Sequence, residues 1–483
     1  MTLLSIGIIL YVVLLILVCL RIIYDTKNTT KTVAYLLVAI FIPVFGILLY
    51  FTFGINYRKH KLFSEKIAND QAMMKKLKEN IMAYTKASLQ RNDPALQDNE
   101  ELANLLLNDI FSPLTSRNQV KLLVNGENKF KEVLTALKEA KHHIHIAYYI
   151  YKDDIIGKKI EDILIQKAKE GVQVRFIYDD FGSRSIRKTL VRRLREAGVQ
   201  AYPFFKVLFI LLANRLNYRN HRKIIIIDGQ TAFVGGINVS DAYINNEKDQ
   251  KKLFWRDTHM RIDGPGVYYL QYLFLTDWNF SSEENVQPNE AYFPEPKTEG
   301  KGAMVQIASS GPDSTYPTIL YSLLAAMALG KKEILITTPY FIPGESMLDA
   351  ITIAALSGLK IKILVPLKCD IPLVNAAARS YYEDLLNAGV EIYLYQKGFV
   401  HAKSVVVDGN LAIVGTANMD FRSFDLNFEV NAIVYDEKFA GEVRDVFYED
   451  LKFAKKIDPE AWRNRHIWVQ LGEKVARLFS PIL

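Results

Sequence analysis

Two long uncharged stretches open the chain, at residues 1–20 and 32–57. Each is apolar and long enough to cross the hydrocarbon of a bilayer as a helix, which takes about 20 residues. A short charged turn separates them. The pattern predicts a hairpin of two transmembrane helices, in which Pro43 bends the second helix without abolishing it.

Positive charge is distributed unevenly around these stretches. The turn between them holds only Arg21, Lys27 and Lys31. The segment after the second stretch carries a larger cluster: Arg58, Lys59, Lys61, Lys66, Lys75, Lys76 and Lys78. The positive-inside rule therefore predicts a multi-pass protein of the cell membrane with its large C-terminal part in the cytoplasm. A cleaved signal peptide is disfavoured, because the first stretch lacks a preceding positive charge and a small-residue cleavage site.

Strand and helix patterns alternate in the rest of the chain, which is the sequence sign of an α/β fold. This region also repeats itself. The segment L-R-E-A-G-V-Q-A-Y at 194–202 matches L-L-N-A-G-V-E-I-Y at 385–393. The segment N-H-R-K-I-I-I-I-D-G at 220–229 recurs as V-H-A-K-S-V-V-V-D-G at 400–409. The chain therefore contains a duplicated α/β unit.

Four segments follow from these patterns. Residues 1–57 hold the membrane helices, and the polar, helix-prone residues 58–115 form a juxtamembrane spacer. The first α/β unit is expected over residues 116–295 and the second over residues 296–483.

The repeated stretch combines a buried strand with charged side chains. Ile224–Ile227 predict a core strand, yet His221, Lys223 and Asp228 accompany it. Side chains alternate between the two faces of a strand, so His221 and Lys223 share one face. Asp228 lies on the other face or at the turn with Gly229, where it anchors the strand end or bonds backbone amides. The same parity applies to the second copy: His401, Lys403 and Asp408.

These residues predict one composite site formed by both units. Asn238 and Asn418 follow the two motifs, in G-G-I-N and G-T-A-N. Lysine and asparagine can hold phosphate oxygens and stabilise a five-coordinate transition state. One neutral histidine can attack phosphorus, while the other gives a proton to the leaving alcohol and takes one from the incoming alcohol. The set predicts phosphodiester chemistry and leaves open which histidine attacks.

Each histidine also needs an acid that fixes its tautomer. Asp257, in F-W-R-D-T-H-M, follows His221 in the first copy, and Glu429, in N-F-E-V-N, follows His401 in the second. Both acids lie in strand-like, aromatic-rich runs. We expect them to present a carboxylate from a neighbouring strand.

These motifs carry a family resemblance. H-R-K-I-I-I-I-D and H-A-K-S-V-V-V-D resemble the paired HKD motifs of the phospholipase D superfamily. With the two membrane helices, Y-R-N-H-R-K and G-T-A-N-M-D-F-R-S-F-D-L-N-F-E, nearly the whole chain resembles the bacterial cardiolipin synthases. The resemblance implies two phospholipase D-like α/β units with mixed sheets around one active site. It also implies transfer of a phosphatidyl group from one phosphatidylglycerol to the terminal hydroxyl of another, giving cardiolipin and glycerol.

The resemblance implies specific roles as well. It favours the first-copy histidine as the nucleophile, and it assigns catalysis to His221, Lys223, Asp228, His401, Lys403 and Asp408. Superfamily members often have Gly-Ser where this chain has Gly235-Gly236 and Gly415-Thr416, so the serine hydroxyl of those members has no counterpart at position 236. No metal or other cofactor is expected, because the histidine intermediate replaces a metal. Exchange of one phosphodiester for another needs no ATP, and the chain has no G-x-x-x-x-G-K-[ST] loop.

The amino-acid composition says less about function than the motifs do. The 483 residues carry a net charge of +7, which favours anionic partners such as lipid headgroups or nucleic acid. Two cysteines, Cys19 and Cys369, exclude a disulfide framework and favour a reducing compartment. The expected partners are phosphatidylglycerol and the bilayer, without nucleic acid, and oligomeric state is not predicted. The alternatives are a membrane-bound phospholipase D that transfers to water, a tethered nuclease and an inactive scaffold.

Two apolar segments suggest membrane contact. F-F-K-V-L-F-I-L-L, residues 204–212, is an insertion in the first copy and forms either a core element or a wedge that guides lipid tails. Near the C-terminus, helical spacing aligns Trp468, Leu471, Val475 and Leu478, with positive charge nearby. That helix either lies on anionic lipid or packs on the core.

Overall fold

The computed structural model describes residues 3–26, 29–53, 98–205, 218–245, 252–282, 284–295 and 301–480, with isolated positions between residues 54 and 97. Most of the predicted spacer lies outside the described residues. So does the predicted lipid wedge from residue 206 onward.

Three helices form the N-terminal segment: α1 (Leu3–Asp25), α2 (Thr29–Phe41) and α3 (Pro43–Phe53). Within the described part of the chain, one helix is long and apolar enough to cross a membrane, over Ser5–Asp25 with a mean hydropathy of 3.0. The first predicted span is therefore present as a single helix.

The second apolar stretch is not a single spanning helix, and the prediction that Pro43 only bends it is wrong. Proline has no backbone N–H and its ring clashes with the preceding helical turn, so α2 ends before it. Helix α3 folds back beside α2, which brings the rings of Tyr35 and Tyr50 to 5.5 Å. Tyr50 Oη also lies 3.3 Å from Asp25 Oδ2, at the end of α1. One membrane-length helix followed by two short helices replaces the predicted hairpin.

The first α/β unit begins with strand β1, which lies between β10 and β9 in the sheet, and it ends with a long buried helix. Its elements are β1 (Thr115–Val124), α5 (Asn125–Glu139), β2 (His143–Tyr148), α6 (Ile155–Lys169), β3 (Gln173–Tyr178), α7 (Leu190–Glu196), β4 (Gln200–Pro203), β5 (Arg219–Asn220), β6 (Lys223–Ile227), β7 (Thr231–Gly235), β8 (Trp255–Arg256), β9 (Thr258–Asp263) and α8 (Val267–Ser282). Short 3₁₀ turns lie at Arg184–Ile186 and Asp241–Tyr243.

The second unit repeats this order. Its elements are β10 (Ala303–Ser310), α9 (Thr318–Leu329), β11 (Glu333–Thr337), β12 (Phe341–Ile342), α10 (Gly344–Leu356), β13 (Lys360–Pro366), α11 (Pro372–Arg379), α12 (Tyr382–Asn387), β14 (Glu391–Tyr395), β15 (Phe399–Val400), β16 (Ser404–Val407), β17 (Leu411–Gly415), β18 (Met419–Asp420), α13 (Phe421–Asp425), β19 (Asn427–Tyr435), α14 (Glu437–Leu451), β20 (Ala454–Lys456), α15 (Pro459–Arg463) and α16 (Ile467–Arg477). Helix α4 (Glu100–Ile110) precedes both units in sequence and buries Leu102 and Leu106 in the second unit's core.

The two units join edge to edge in a mixed sheet. The strand order is β20-β14-β13-β11-β16-β17-β19-β10-β1-β9-β7-β6-β2-β3-β4, so the order within one unit mirrors the order within the other. Strands β2, β3 and β4 run parallel, whereas β6 pairs antiparallel with β2. The junction is the antiparallel pair of β1 and β10. This order places β6 and β16, which follow the two histidines, at equivalent positions.

The isoleucine run explains how the charged motif is held. Ile225 and Ile227 belong to the first unit's own core. Ile224 and Ile226 belong to a core that the two units share. The strand is therefore buried on both faces, which fixes the register of the residues just before it.

Candidate active site

The backbone before each core strand pairs with the other unit. Strand β5 runs parallel to β19 and aligns Arg219 with Asn427. The next residue, His221, donates its backbone N–H to the carbonyl of Phe428 at 2.9 Å. Phe428 directly precedes Glu429, so this pairing sets His221 beside that carboxylate. The second half repeats the arrangement, with β15 paired to β8.

The two carboxylates are exchanged between the units. His221 Nδ1 lies 2.8 Å from Glu429 Oε1, and His401 Nδ1 lies 2.7 Å from Asp257 Oδ2. Both predicted acids therefore contact histidines, but each histidine takes the acid of the opposite unit. A carboxylate at Nδ1 leaves Nε2 as the reactive nitrogen of each ring.

Burial keeps both imidazoles neutral near pH 7. It lowers the pKa of His221 to about 4, although the charge of Glu429 opposes this shift. It lowers the pKa of His401 to about 3, and the charge of Lys403 lowers it further. A neutral imidazole keeps a lone pair for nucleophilic attack.

The two lysines are buried and fixed by their own loops. Lys223 Nζ donates a hydrogen bond to the carbonyl of His221 at 2.7 Å. Lys403 Nζ donates likewise to the carbonyl of His401. Burial lowers the pKa of Lys223 to about 7 and that of Lys403 to about 8, and nearby carboxylates oppose both shifts. Each lysine also interacts electrostatically with a carboxylate from the other unit, Lys223 with Glu429 and Lys403 with Asp257.

Asp228 and Asp408 bind backbone amides rather than the side chains of His221 and His401. Asp228 accepts hydrogen bonds from the backbone N–H groups of three consecutive residues, Lys141, His142 and His143, at 2.8–2.9 Å. Asp408 makes the equivalent bonds to the backbone N–H groups of residues 331–333, at 2.7–2.8 Å. Both aspartates have positive φ, near 53° and 52°. These bonds confirm the amide-binding alternative predicted from strand parity.

The residues that follow the motifs differ between the halves. Thr416 Oγ1 donates a hydrogen bond to Glu429 at 2.5 Å. The matching position is Gly236, where a Cβ would clash with the Asp257 carboxylate, so no hydroxyl bond exists there. Asp257 Oδ1 instead accepts the backbone N–H of Thr258 at 2.7 Å.

The two asparagines are buried beside these groups. Asn238 Nδ2 donates to Tyr243 Oη at 2.7 Å, and the Tyr243 ring lies 5.9 Å from the His401 ring. Asn418 Nδ2 donates to Asp420 Oδ2 at 3.0 Å. Its Oδ1 is buried without a hydrogen-bond partner in the described part of the chain. Both side chains are therefore held by acids or hydroxyls next to the paired motifs.

Sequence reasoning missed several residues that surround the histidines. The Tyr149 ring lies 4.8 Å from the His221 ring, whereas Trp255 lies 5.4 Å from His401. Arg219 and Phe399 each lie two residues before a histidine. A residue-by-residue alignment of the two copies would have found Arg219 and Phe399, because they occupy the same position of the repeat.

Two histidines, each with a lysine two residues later and a carboxylate on Nδ1, define a phosphodiester-transferring enzyme of the phospholipase D class. The family described as "Cardiolipin synthase, PLD-like domain" matches residues 133–254 and 323–451, and "Phospholipase_D-nuclease N-terminal" matches residues 9–54. The chain belongs to the cardiolipin synthase family of the phospholipase D superfamily.

Proteins named cardiolipin synthase are similar to this chain over nearly its full length. The chain is 43% identical over 484 residues to the major cardiolipin synthase ClsA of Bacillus subtilis (strain 168), covering 100% of this chain and 99% of the relative. It is 40% identical over 461 residues to the cardiolipin synthase of Listeria innocua, covering 95% of each. The crystal structure of phosphatidylserine synthase from Haemophilus influenzae Rd KW20 shares the fold, with a TM-score of 0.59, 14% identity, and coverage of 79% of this chain and 100% of that one.

Proposed function

We propose that the protein is a cardiolipin synthase, a phosphatidyltransferase that converts two phosphatidylglycerol molecules into cardiolipin and glycerol. The observation that carries the proposal is the pair of histidines with exchanged carboxylates, at 2.8 and 2.7 Å. Full-length similarity to enzymes named cardiolipin synthase supports it.

The first half-reaction forms a covalent enzyme. Nε2 of one neutral histidine attacks the phosphorus of phosphatidylglycerol, and the bond from phosphorus to the glycerol oxygen breaks. The other histidine, as an imidazolium, gives its proton to that oxygen, and glycerol leaves. The carboxylate at each Nδ1 stabilises the imidazolium when it forms.

The second half-reaction reverses these bonds with a different alcohol. The terminal hydroxyl of a second phosphatidylglycerol loses its proton to the acid–base histidine and attacks phosphorus. The phosphorus–nitrogen bond breaks, which frees the nucleophilic histidine and releases cardiolipin. Both histidines return to their starting protonation states, so the cycle consumes no external proton.

Lys223 and Lys403 are proposed to hold the phosphate between the histidines, with Asn238 and Asn418 as further phosphate ligands. Burial lowers the pKa of Lys223 to about 7 and that of Lys403 to about 8, and the negative charge of a bound phosphate would stabilise the protonated form of both lysines. The same anion favours the imidazolium form that the acid step needs. Asp228 and Asp408 are proposed to position the motif strands rather than to touch substrate.

No metal or other cofactor enters this proposal. In the described residues, no group of three histidine, cysteine or acidic side chains is arranged to hold a metal ion. In this proposal the lysines neutralise the charge of the phosphate, and a histidine forms the covalent bond to phosphorus.

Membrane attachment is proposed to involve two elements. Helix α1 supplies one membrane-length anchor, and the charge distribution after residue 58 favours a cytoplasmic catalytic part. Helix α16 exposes Trp468 and Leu471, which are 71% and 47% accessible. Lys474 and Arg477 lie on the same helix, so its apolar face and cations suit an anionic lipid surface.

Four segments are proposed for the chain: residues 1–57 as membrane segment, 58–115 as spacer, and 116–295 and 296–483 as the two catalytic units. A phospholipase D that transfers to water is the second candidate, because water can replace the second lipid at the same intermediate. The test is lipid mass spectrometry after incubating the full-length protein with phosphatidylglycerol as the only lipid. Wild type should form cardiolipin and His401→Gln should not; phosphatidic acid as the main product would favour the second candidate.

A further inference from the structure

The last long helix of each unit carries a buried aspartate at the same place in the repeat. Near its end, α8 contains T-D-W-N-F at residues 276–280, and the end of α14 leads into E-D-L-K-F at residues 449–453. Aligning these segments pairs Asp277 with Asp450, and both side chains are buried. A buried carboxylate costs free energy unless it is paired, so each aspartate needs a cation.

Each of these aspartates binds a buried arginine. Arg222 Nη1 donates to Asp277 Oδ2 at 2.7 Å, and Arg256 Nε donates to Asp450 Oδ1 at 2.8 Å. The two arginines come from different positions of the repeat. Arg222 directly follows the first histidine of the site, whereas Arg256 directly precedes the acid that contacts the second. One ion pair therefore lies within the first unit, and the other joins the two units.

Both arginines also reach the backbone of an orienting acid. Arg256 Nη1 donates to the carbonyl of Asp257 at 2.6 Å. Arg222 Nε donates to the carbonyl of Glu429 at the longer distance of 3.5 Å. These two acids are the ones whose carboxylates contact the histidines at 2.7 and 2.8 Å. The two ends of the composite site therefore contain the same chain of contacts, from an aspartate through an arginine to the orienting acid.

The pair at the first end also holds the loop around His221. Asp277 Oδ2 accepts a second hydrogen bond from Asn220 Nδ2 at 3.2 Å, and Asn220 Oδ1 accepts the backbone N–H of Arg222 at 3.2 Å. Lys66 Nζ lies 3.8 Å from Asp277 Oδ1 as well. The residues on both sides of His221 are therefore bound to the same carboxylate of α8.

The pair at the second end holds the backbone on which His401 rests. The backbone N–H of His401 donates to the carbonyl of Arg256 at 2.7 Å. Asp257 follows Arg256 directly, so one short segment both binds the histidine and presents its acid. Buried ion pairs contribute little net stability, because desolvation offsets the attraction between the charges. This balance favours an effect on geometry over an effect on stability.

We infer that Asp277 and Asp450 are positioning residues of the composite site. Through Arg222 and Arg256 they fix the backbone of the two orienting acids, and hence the geometry of each histidine–carboxylate pair. In this assignment neither aspartate touches substrate, and each acts on the histidine at its own end. The inference deepens the proposed function and rests on it.

Two reactions that use the histidines differently provide the test. Cardiolipin formation from phosphatidylglycerol needs a nucleophile and a proton donor. Release of nitrophenol from phosphatidyl-p-nitrophenol needs the nucleophile alone, because nitrophenolate leaves without a proton. Both rates are measured with the full-length protein in mixed micelles. His221→Gln and His401→Gln give the reference pattern for loss of each histidine.

Asp450→Asn and Asp277→Asn keep the size of the side chain and remove its charge. Asp450→Asn should reproduce the pattern of His401→Gln in milder form, and Asp277→Asn that of His221→Gln. A misplacement of about 1 Å can cost about 100-fold in rate, so we expect the ratio of nitrophenol release to cardiolipin formation to differ by about 10- to 100-fold between the two variants. The same ratio in both folded variants, with or without a loss of rate, would overturn the positioning role.

A double variant separates positioning from stability. Removing one partner of a buried ion pair destabilises a protein, whereas apolar replacement of both partners is often neutral. Asp450→Leu combined with Arg256→Met should therefore unfold near the wild-type temperature. It should still show the ratio of Asp450→Asn, because no arginine then binds the carbonyl of Asp257. Recovery of both wild-type rates in this stable double variant would overturn the inference.

The matched control is Asp445→Asn, because Asp445 lies exposed on the same helix as Asp450. It should leave both rates unchanged. Failure of the proposed function would look different from failure of this inference, because the wild type itself would then form no cardiolipin from phosphatidylglycerol.

Discussion

His221 Nδ1 lies 2.8 Å from Glu429 Oε1, although 208 residues separate the two in sequence. The second histidine contacts an acid from the first unit in the same way. The other unit thus supplies the carboxylate that contacts each histidine, and we expect activity to require correct docking of the two units.

Replacing an exchanged acid by its amide should disable catalysis while preserving shape. In Glu429→Gln and Asp257→Asn, the amide no longer stabilises the imidazolium, and the histidine adopts the wrong tautomer. We expect the initial rate of cardiolipin formation to fall by about 10²–10⁴-fold. Thermal unfolding should confirm that each variant is folded. A loss below about threefold in a folded variant would contradict the role of the carboxylate as an orienting acid.

Asp228 should matter for stability more than for chemistry. It accepts three backbone N–H bonds, and asparagine tolerates its positive φ but offers fewer acceptor sites. Asp228→Asn should lower the free energy of unfolding by about 1–3 kcal/mol. Activity measured well below the unfolding temperature should stay near that of wild type. A collapse of activity in a variant with wild-type stability would return Asp228 to the catalytic group.

The histidines should make the protein sensitive to acid. Folding lowers the pKa of His221 to about 4 and that of His401 to about 3, from 6.5. Between about pH 4 and 6.5 the unfolded chain therefore binds more protons than the folded protein, so stability falls as the pH falls through this range. Thermal unfolding of wild type and His401→Gln across this range checks the prediction. The variant should show the weaker pH dependence, and equal slopes would contradict it.

Helix α16 should contribute to activity on bilayers. The double substitution Trp468→Asp and Leu471→Asp places charge on the exposed apolar face of the helix. Each apolar side chain that no longer inserts into the bilayer weakens the binding free energy by about 1.5–3 kcal/mol. Turnover on phosphatidylglycerol liposomes should fall about tenfold or more, while turnover in mixed micelles stays near wild type. Leu356→Asp is the matched control, since Leu356 is 72% exposed on α10. Equal liposome rates for the double variant and the control would remove α16 from the membrane contact.

The covalent histidine can be identified with a donor whose leaving group needs no proton, such as phosphatidyl-p-nitrophenol. The family resemblance favours His221 as the nucleophile, so His401→Gln should still release one equivalent of nitrophenol per enzyme and then retain the phosphatidyl group. His221→Gln should give no burst. A burst confined to His221→Gln would make His401 the nucleophile instead.

Strand parity was sufficient to separate the roles of the motif residues. Because His221 and Lys223 share a face and Asp228 does not, the sequence predicted that Asp228 anchors the strand end or bonds backbone amides, and the structure shows the amide bonds. The duplication likewise indicated a composite site. The first inference depends on the alternation of side chains along a strand, and the second depends on the similarity of two segments, so both can be read from short stretches of sequence.

The exchange of acids was not accessible from sequence. It depends on the pairing of β5 with β19 and of β8 with β15, which are contacts between units with no local signature. The prediction of a second membrane-spanning helix was wrong for a different reason. The apolar stretch is long enough to span a bilayer, but Pro43 ends α2. Helix α3 then runs back beside α2, with Tyr35 packed against Tyr50.

The most direct test uses purified full-length protein in mixed micelles, with phosphatidylglycerol as the only lipid and EDTA present. Cardiolipin, glycerol and phosphatidic acid are quantified in the same samples over time. We predict equal amounts of cardiolipin and glycerol, little phosphatidic acid and no effect of EDTA. Predominant phosphatidic acid, or activity that EDTA abolishes, would contradict a metal-independent transfer from one lipid to another.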